Sequence, residues 1–206
     1  MTAIAWSLFA VSLAKAEPRF TADRDAELLA RYRAGDRDVF AEIYRTHVDA
    51  VYRRLTRILG PIAEREDLTQ DVFLAVHRAL PRFRGDAALG TLVQRIAINI
   101  AYEHLRRSSR RPTTAFDDSY FDELLSPAAL PVARAAAREE LASVFACLAR
   151  IKPKKRIALL LRVVDGLSFE AIGQLVDASP EAVAKRVQHG QRELDELLAR
   201  ATKGEA

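Results

Sequence analysis

Apolar side chains recur at helical spacing along most of the chain, and few breakers interrupt them. Val39, Phe40, Ile43, Val48, Val51, Leu55 and Ile58 fall mostly three or four positions apart. That spacing gathers them on one side of an α-helix. Gly60-Pro61 ends the segment, because proline has no N–H for a further helical bond. Only 8 glycines and 8 prolines punctuate 206 residues, and β-branched runs are scarce, so sheets are disfavoured. The expected fold class is all-α.

The same pattern divides the chain. Helices are expected over 25–34, 37–59, 63–79 and 89–107, with Gly35 ending the first and Asp36 capping the second. Four helices of this length close one compact module over 25–111. Arg106, Arg107, Arg110 and Arg111 then cluster, followed by Asp117, Asp118, Asp122 and Glu123. Pro112, Pro127 and Pro131 break regular structure there, so 112–132 reads as a linker without a fold of its own. A second helical module follows over 133–206, with helices at 133–150, 154–164, 168–176 and 180–200. Residues 1–24 form an apolar N-terminal extension that need not belong to the fold. "AIAWSLFAVSLAKA", 3–16, is signal-like but lacks a cation before its apolar run. The simpler readings are an extra N-terminal segment or a start assigned too far upstream.

Charge and cysteine usage narrow the function classes. A net charge of +4 permits nucleic-acid binding without requiring it. The single Cys147 excludes an internal disulfide framework and sits in an apolar stretch, as a buried structural thiol would in a reducing cytoplasm. His47, His77, His104 and His189 are scattered without metal-ligand spacing. There is no phosphate-binding glycine loop, nucleophile elbow or pair of acids suited to catalysis. No catalytic residue, metal or cofactor is expected, and the protein is not read as an enzyme.

Placed on a helix, residues 64–79 bury Leu68, Val72, Ala75, Val76 and Ala79. Asp67, Gln70, Asp71, Leu74 and Arg78 collect on the opposite side, where Leu74 is the odd apolar member. That edge is either a solvated face with one stray leucine or a protein-docking surface anchored by Leu74. The next helix turns Val93, Ile96, Ala97 and Ile100 one way and Arg95, Asn99, Tyr102 and Arg106 another. Cations, an amide and an aromatic ring on one stripe suit phosphates, base edges and an unpaired base, though an ordinary solvent face fits too. Arg107 extends the basic track. Before this helix, Arg82, Phe83 and Arg84 alternate in a loop that can hold a base turned out of its stack, unless Phe83 packs inward.

Residues 166–194, "GLSFEAIGQLVDASPEAVAKRVQHGQREL", have a helix-turn-helix pattern. Ser168 caps its first helix, Gly173 allows a close crossing, and Asp177 stands at the turn. Ser179 caps the second helix with Pro180 at its first position. Val183, Val187, Gly190, Leu194 and Leu197 face the core; Glu181, Lys185, Gln188 and Arg192 line the far side, flanked by Ala184 and His189. Such a helix sets its N-terminal residues against major-groove base edges. Arg186 suits backbone phosphate, and the run Lys152, Lys154, Lys155, Arg156 could add more such contacts.

Together, "REDLTQDVFLAVHRALPRFRGD" with "RIAINIAYEHLRR", and "IKPKKRIALLLRVVDGLSFEAIGQLV" with "AVAKRVQHGQREL", resemble regions two and four of bacterial RNA polymerase sigma factors of the extracytoplasmic-function group. The resemblance implies two small helical domains joined by a flexible linker. It implies core RNA polymerase as partner, through the β′ and β subunits, and promoter DNA. By this likeness Asp67, Gln70, Asp71, Leu74 and Arg78 meet the β′ coiled coil. Arg82, Phe83, Arg84, Arg95, Asn99, Tyr102, Arg106 and Arg107 meet the −10 element. Ser179, Glu181, Ala184, Lys185, Arg186, Gln188, His189 and Arg192 meet the −35 element. An anti-sigma factor, often membrane-attached in this group, is also implied. The chain departs from the family pattern at Leu92-Val93, where Trp-Leu is usual, and at Ala184, Gly190 and Gln191. Gly190 costs up to about 1 kcal/mol in helix propensity against Ala. A helix-turn-helix regulator or adaptor with a sigma-like fold that does not start transcription is the competing expectation.

Overall fold

The computed structural model describes residues 22–36, 38–60, 62–85, 87–108 and 131–202, and these contain helices but no strand. The helices are α1 (Ala22–Arg33), α2 (Asp38–Leu59), α3 (Arg65–Ala79), α4 (Leu89–Ser108), α5 (Pro131–Arg150), α6 (Pro153–Val163), α7 (Phe169–Val176) and α8 (Pro180–Thr202). A single 3₁₀ turn, Leu80–Arg82, leads from α3 into the loop before α4. The two helical groups and the all-α class are those the periodicity implies. The signal-like stretch and the acidic part of the linker lie outside the described residues.

Local chemistry sets the boundaries. Asp36 Oδ1 accepts from the Asp38 N–H at 2.9 Å, ahead of α2. Ser168 Oγ accepts from Ala171 N at 3.1 Å, and Ser179 Oγ from Ala182 N at 3.2 Å. Each serine satisfies an N–H that its helix leaves without a partner. Between α7 and α8, Asp177 is left-handed with φ 49° and ψ 62°, and its N–H returns to Gly173 O. A side chain at Gly173 would place its Cβ 2.5 Å from Ala178 O. Only glycine lets the turn come that close.

The first module packs α1 to α4 around Ile43, Val51, Leu55, Val72, Val76, Leu80, Val93 and Ala97. The second gathers Phe145, Leu148, Ile151, Leu159, Leu160 and Leu194 of α5, α6 and α8, with the Cys147 thiol buried among them. Burial raises that thiol's pKa, which keeps it protonated. The cores are not separate. Ile157, Ala158 and Leu161 of α6, with Ile172 and Val183, belong to the same cluster as the first module.

Helix α6 explains this joining. Arg156 to Leu161 are all buried, with no exposed face along that run. A helix apolar all round is surrounded. Here Leu159 and Leu160 face α5 and α8, while Ile157, Ala158 and Leu161 face the first module. Arg156, offered by the sequence as a phosphate contact, is 3% exposed. Burial pushes its pKa down to about 10, and its Nε finds no acceptor. It lies at a helix position that the two-sided packing turns inward, and it cannot meet DNA in this arrangement.

A charged clasp closes the same seam. Asp165, just after α6, accepts from Arg54 Nη1 and, at 2.5 Å, from Arg57 Nη1, both on α2. The three side chains are 2%, 4% and 7% exposed for Arg54, Arg57 and Asp165. Arg54 Nε also donates to Gln94 Oε1 of α4 at 2.9 Å, so α2, α4 and the second module share one buried polar network. Nearby, Gly60 has φ +83°, and a Cβ there would approach Phe145 Cδ1 to 2.9 Å. The α2 terminus thus lies directly against the α5 ring.

Candidate nucleic-acid and polymerase interface

The outer edge of α3 is as the helical spacing implies. Val72 and Val76 are buried and Leu68 is half-buried, while Asp67, Gln70, Asp71, Leu74 and Arg78 are exposed. Leu74 is 54% exposed, the most open large apolar side chain among the described residues. Phe73 and Thr69, which that reading left unassigned, are buried instead, so the helix sinks deeper than one stripe. Phe73 packs on Tyr44 of α2, ring centres 4.6 Å apart. The Leu74 edge does not end at α3. Asp71, Leu74, Ala75 and Arg78 line an open groove with Ile96, Asn99, Ile100 and Arg107 of α4.

The loop and α4 are more constrained than an open DNA face. Arg82 and Arg84 are exposed, and Phe83 is half-buried against the core. Val93 and Ala97 are buried, with Ile96 and Ile100 half-buried, as expected for the inner face. Of the stripe opposite, Arg95 and Asn99 are exposed. Arg95 Nε donates to Gln174 O of α7 at 2.7 Å. Tyr102 is half-buried, with Lys154 Nζ of α6 5.9 Å above its ring. Arg106 pairs with Glu103 at 2.7 Å, and Arg107 stays exposed in the groove. The spacing places these residues on one side of α4, but the second module already occupies two of them. Arg95, Gln174, Asp177 and Ser179 line one cleft, where the −10 and −35 candidates meet.

On α8, Val183, Gly190 and Leu194 are buried, and Val187 and Leu197 are half-buried. Ser179, Glu181, Lys185, Gln188, His189 and Arg192 are exposed, with Ala184 and Arg186 half-exposed. The recognition face is therefore open. The hydrogen bond with the Ser179 side chain, and after it a backbone hydrogen bond, hold Glu181 below the usual carboxylate range. It remains an anion beside Lys185. Gly190 has a packing reason: a Cβ would sit 3.2 Å from Lys155 O of α6. Close crossing of α6 and α8 offsets the helix-propensity cost of glycine. Lys155 is itself engaged by Glu193 across that crossing, and so is not a free phosphate ligand.

The clasp of Arg54, Arg57 and Asp165 is what sequence reasoning missed. Its signal was present. Arg54 and Arg57 flank Leu55 within the apolar stripe of α2, where a cation needs a partner. Asp165 follows the run "IALLLRVV", in which Ile157 to Leu161 are apolar without a break and so mark a helix covered on two sides.

Among the described residues, no group of three or more His, Cys, Asp and Glu could hold a metal. What the geometry defines is an all-helical protein of two modules, with a helix-turn-helix whose second helix keeps an open polar face and an α3 edge that leaves Leu74 exposed. Residues 43–111 match the family model for Sigma-70 region 2, and residues 141–194 match that for Sigma-70, region 4. The RNA polymerase sigma-H factor of Pseudomonas aeruginosa is 32% identical over 185 residues, 86% of this chain and 95% of that protein. The ECF RNA polymerase sigma factor SigM of Mycobacterium tuberculosis (strain ATCC 25618 / H37Rv) is 32% identical over 176 residues, 84% of each chain. Among solved structures, CnrH in complex with the cytosolic domain of CnrY superposes with a TM-score of 0.60 at 23% identity, covering 87% of this chain and 98% of that one. The sigma factor RpoE with the anti-sigma factor NepR from Bartonella quintana gives 0.56 at 18% identity, covering 79% and 98%. The chain belongs to the sigma-70 family, within the extracytoplasmic-function group of RNA polymerase sigma factors.

Proposed function

We propose that this sigma factor docks on the β′ coiled coil of core RNA polymerase through Asp67, Gln70, Asp71, Leu74 and Arg78. The observation that carries the reading is Leu74, an apolar anchor left open amid acids and an amide, on a helix whose other faces are packed. Its groove continues into Asn99 and Arg107. Docking therefore sets the −10 surface beside the polymerase rather than away from it. Module 25–111 receives the non-template −10 strand through loop 81–87 and α4. Module 133–206 reads duplex −35 DNA with α8.

In the closed arrangement Arg95 and Tyr102 are engaged by α7 and α6, so full use of the α4 surface calls for the seam to part. Binding to the polymerase therefore opens the seam. An anti-sigma protein is the further partner of this reading, in keeping with the solved complex of RpoE with the anti-sigma factor NepR, and it would hold the modules away from the polymerase. The chain supplies recognition and strand capture in the cytoplasm, where the polymerase acts, and no catalysis of its own. Melting draws on binding energy, with captured bases offsetting lost stacking.

The test is run-off transcription with purified core polymerase on a promoter library, with permanganate mapping of unpaired thymines. Leu74→Asp abolishes core binding and transcription together in this reading. Core binding and duplex DNA binding without strand opening would favour the adaptor reading instead. Failure of folded protein to retain core polymerase would remove the proposal.

A further inference from the structure

The loop before α4 is held at both ends by one helix that precedes the matched family region. Helix α1 ends at Arg33, whereas the region-two match starts at residue 43. Asp25 on α1 is 4% exposed, and its Oδ2 accepts from the Leu89 N–H, the first residue of α4, at 2.6 Å. A helix start needs such an acceptor. Ala87 and Ala88 have no side-chain oxygen to offer. Asp25, 64 positions away, supplies the cap in their place. At the other end of the loop, Arg33 Nη2 donates to Phe83 O at 2.7 Å. Between these contacts lies Gly85, where an added Cβ would meet Cδ1 of buried Leu29 at 3.8 Å.

Helix α1 is itself fixed. Leu28 and Leu29 enter the first core. Glu42 of α2 accepts from Arg24 and from Arg31, each at 3.1 Å, and Arg31 also holds Asp36 at 2.9 Å. The hydrogen bonds from Arg24 and Arg31 keep the Glu42 carboxyl below its usual range. The loop therefore inherits its position from α1, and α1 takes its position from α2.

We propose that α1 is a brace for strand capture, with Asp25 and Arg33 as positioning residues that preset Phe83, Arg84 and Gly85 of the loop for the extruded base. This rests on the reading of that loop as the capture site. A preset loop loses less conformational freedom on binding. The brace then raises affinity for the single strand without touching it, and leaves docking through α3 unaffected.

The test uses holoenzyme on a promoter fragment that it opens, carrying 2-aminopurine in the non-template −10 strand. Asp25→Ala and Arg33→Ala each lower the equilibrium captured fraction about threefold to tenfold, the size expected for a lost cap. Affinity for core polymerase stays at the wild-type value. Asp25→Asn recovers capture, since its amide oxygen still accepts from Leu89 N–H. Phe83→Ala serves as the loop control. If Phe83→Ala captures normally, the loop reading falls and the brace with it. If Phe83→Ala is impaired but Arg33→Ala and folded Asp25→Ala capture like wild type, the brace alone is overturned. Asp25→Asn as impaired as Asp25→Ala would also overturn it. Arg33 is exposed, so its variant keeps the test open should Asp25→Ala fold poorly.

Discussion

Replacing Asp165 with alanine tests whether charge holds the two modules together. In the closed form this carboxylate meets two guanidiniums at a seam that excludes water, with all three side chains under 10% exposed. Its only side-chain partners among the described contacts belong to the other module, so the substitution leaves the helix-turn-helix itself intact. Removing one member of a buried ion pair costs about 3–5 kcal/mol where the remaining charge loses its main counter-charge while still buried. Arg54 keeps Gln94 Oε1 at 2.9 Å, which favours the lower end. In the open form Arg54 and Arg57 reach water and lose little. The penalty of about 3 kcal/mol therefore falls almost wholly on closure, shifting the closed-to-open ratio about 10²-fold toward open.

Pulsed dipolar spectroscopy measures this directly. Ala41 on α2 and Glu196 on α8 are exposed, whereas Cys147 is 5% exposed and resists labelling. Spin labels at Ala41→Cys and Glu196→Cys should give one narrow distance in the parent protein. With Asp165→Ala a second, longer and broader population appears, and helix content by circular dichroism stays the same. Core polymerase should bind this variant more tightly, since less closure opposes docking. An unchanged single distance, with the protein folded, would refute the claim that stranding the two guanidiniums opposes closure. Loss of helicity would refute the assumption that its effect is confined to the seam.

Three further outcomes are expected. His47 is buried and its pKa is pushed down from 6.5 to about 4 by loss of hydration; the unfolded chain then binds the extra proton first, so stability falls as pH drops through 6.5 and the full loss, about 3 kcal/mol, is reached below 4. Urea unfolding at pH 7.5 and 4.5 measures it, and His47→Gln should flatten that acid-side slope. Gly173→Ala drives a Cβ toward Ala178 O at 2.5 Å and should cost about 1–3 kcal/mol, with loss of −35 duplex binding by fluorescence anisotropy, because the turn must move. Arg156→Met removes a buried guanidinium whose Nε has no acceptor; a gain of about 1–3 kcal/mol in urea unfolding is expected, and a loss of that size would show that the charge is compensated.

Helix positions were legible because periodicity and punctuation agree. Gly60, Ser168, Asp177, Ser179 and Pro180 each act in the structure as their chemistry implies. The exposed edge of α3 and the recognition face of α8 were legible for the same reason, since a helix reveals its faces by spacing. Contacts between modules were not. Arg95 sits on the stripe that spacing assigns to it, yet its partner is a backbone carbonyl 79 positions away. No local pattern encodes that. The brace at Asp25 escaped for the same reason, since an acceptor borrowed from another helix leaves no mark beside Leu89. Arg156 was misjudged because four cations within five residues, Lys152 to Arg156, look solvated. The turn of α6 places one of them on the inward face.

The composition of the seam bears on how it can open. An apolar seam loses burial over its whole area when parted, at roughly 25 cal/mol per Å². A clasp of carboxylate and guanidiniums behaves otherwise, because separation returns every charge to water. Its attraction is nearly cancelled by desolvation, while a mismatched closure would strand a charge. The clasp therefore fixes how the modules meet more than how tightly. Ile157, Ala158 and Leu161 supply the cohesive part, while buried Arg156 opposes it, since its charge finds incomplete compensation at the same place. Closure that combines apolar attraction, a specific clasp and a standing electrostatic cost is easily displaced. A polymerase surface that captures Leu74 has to supply only the difference.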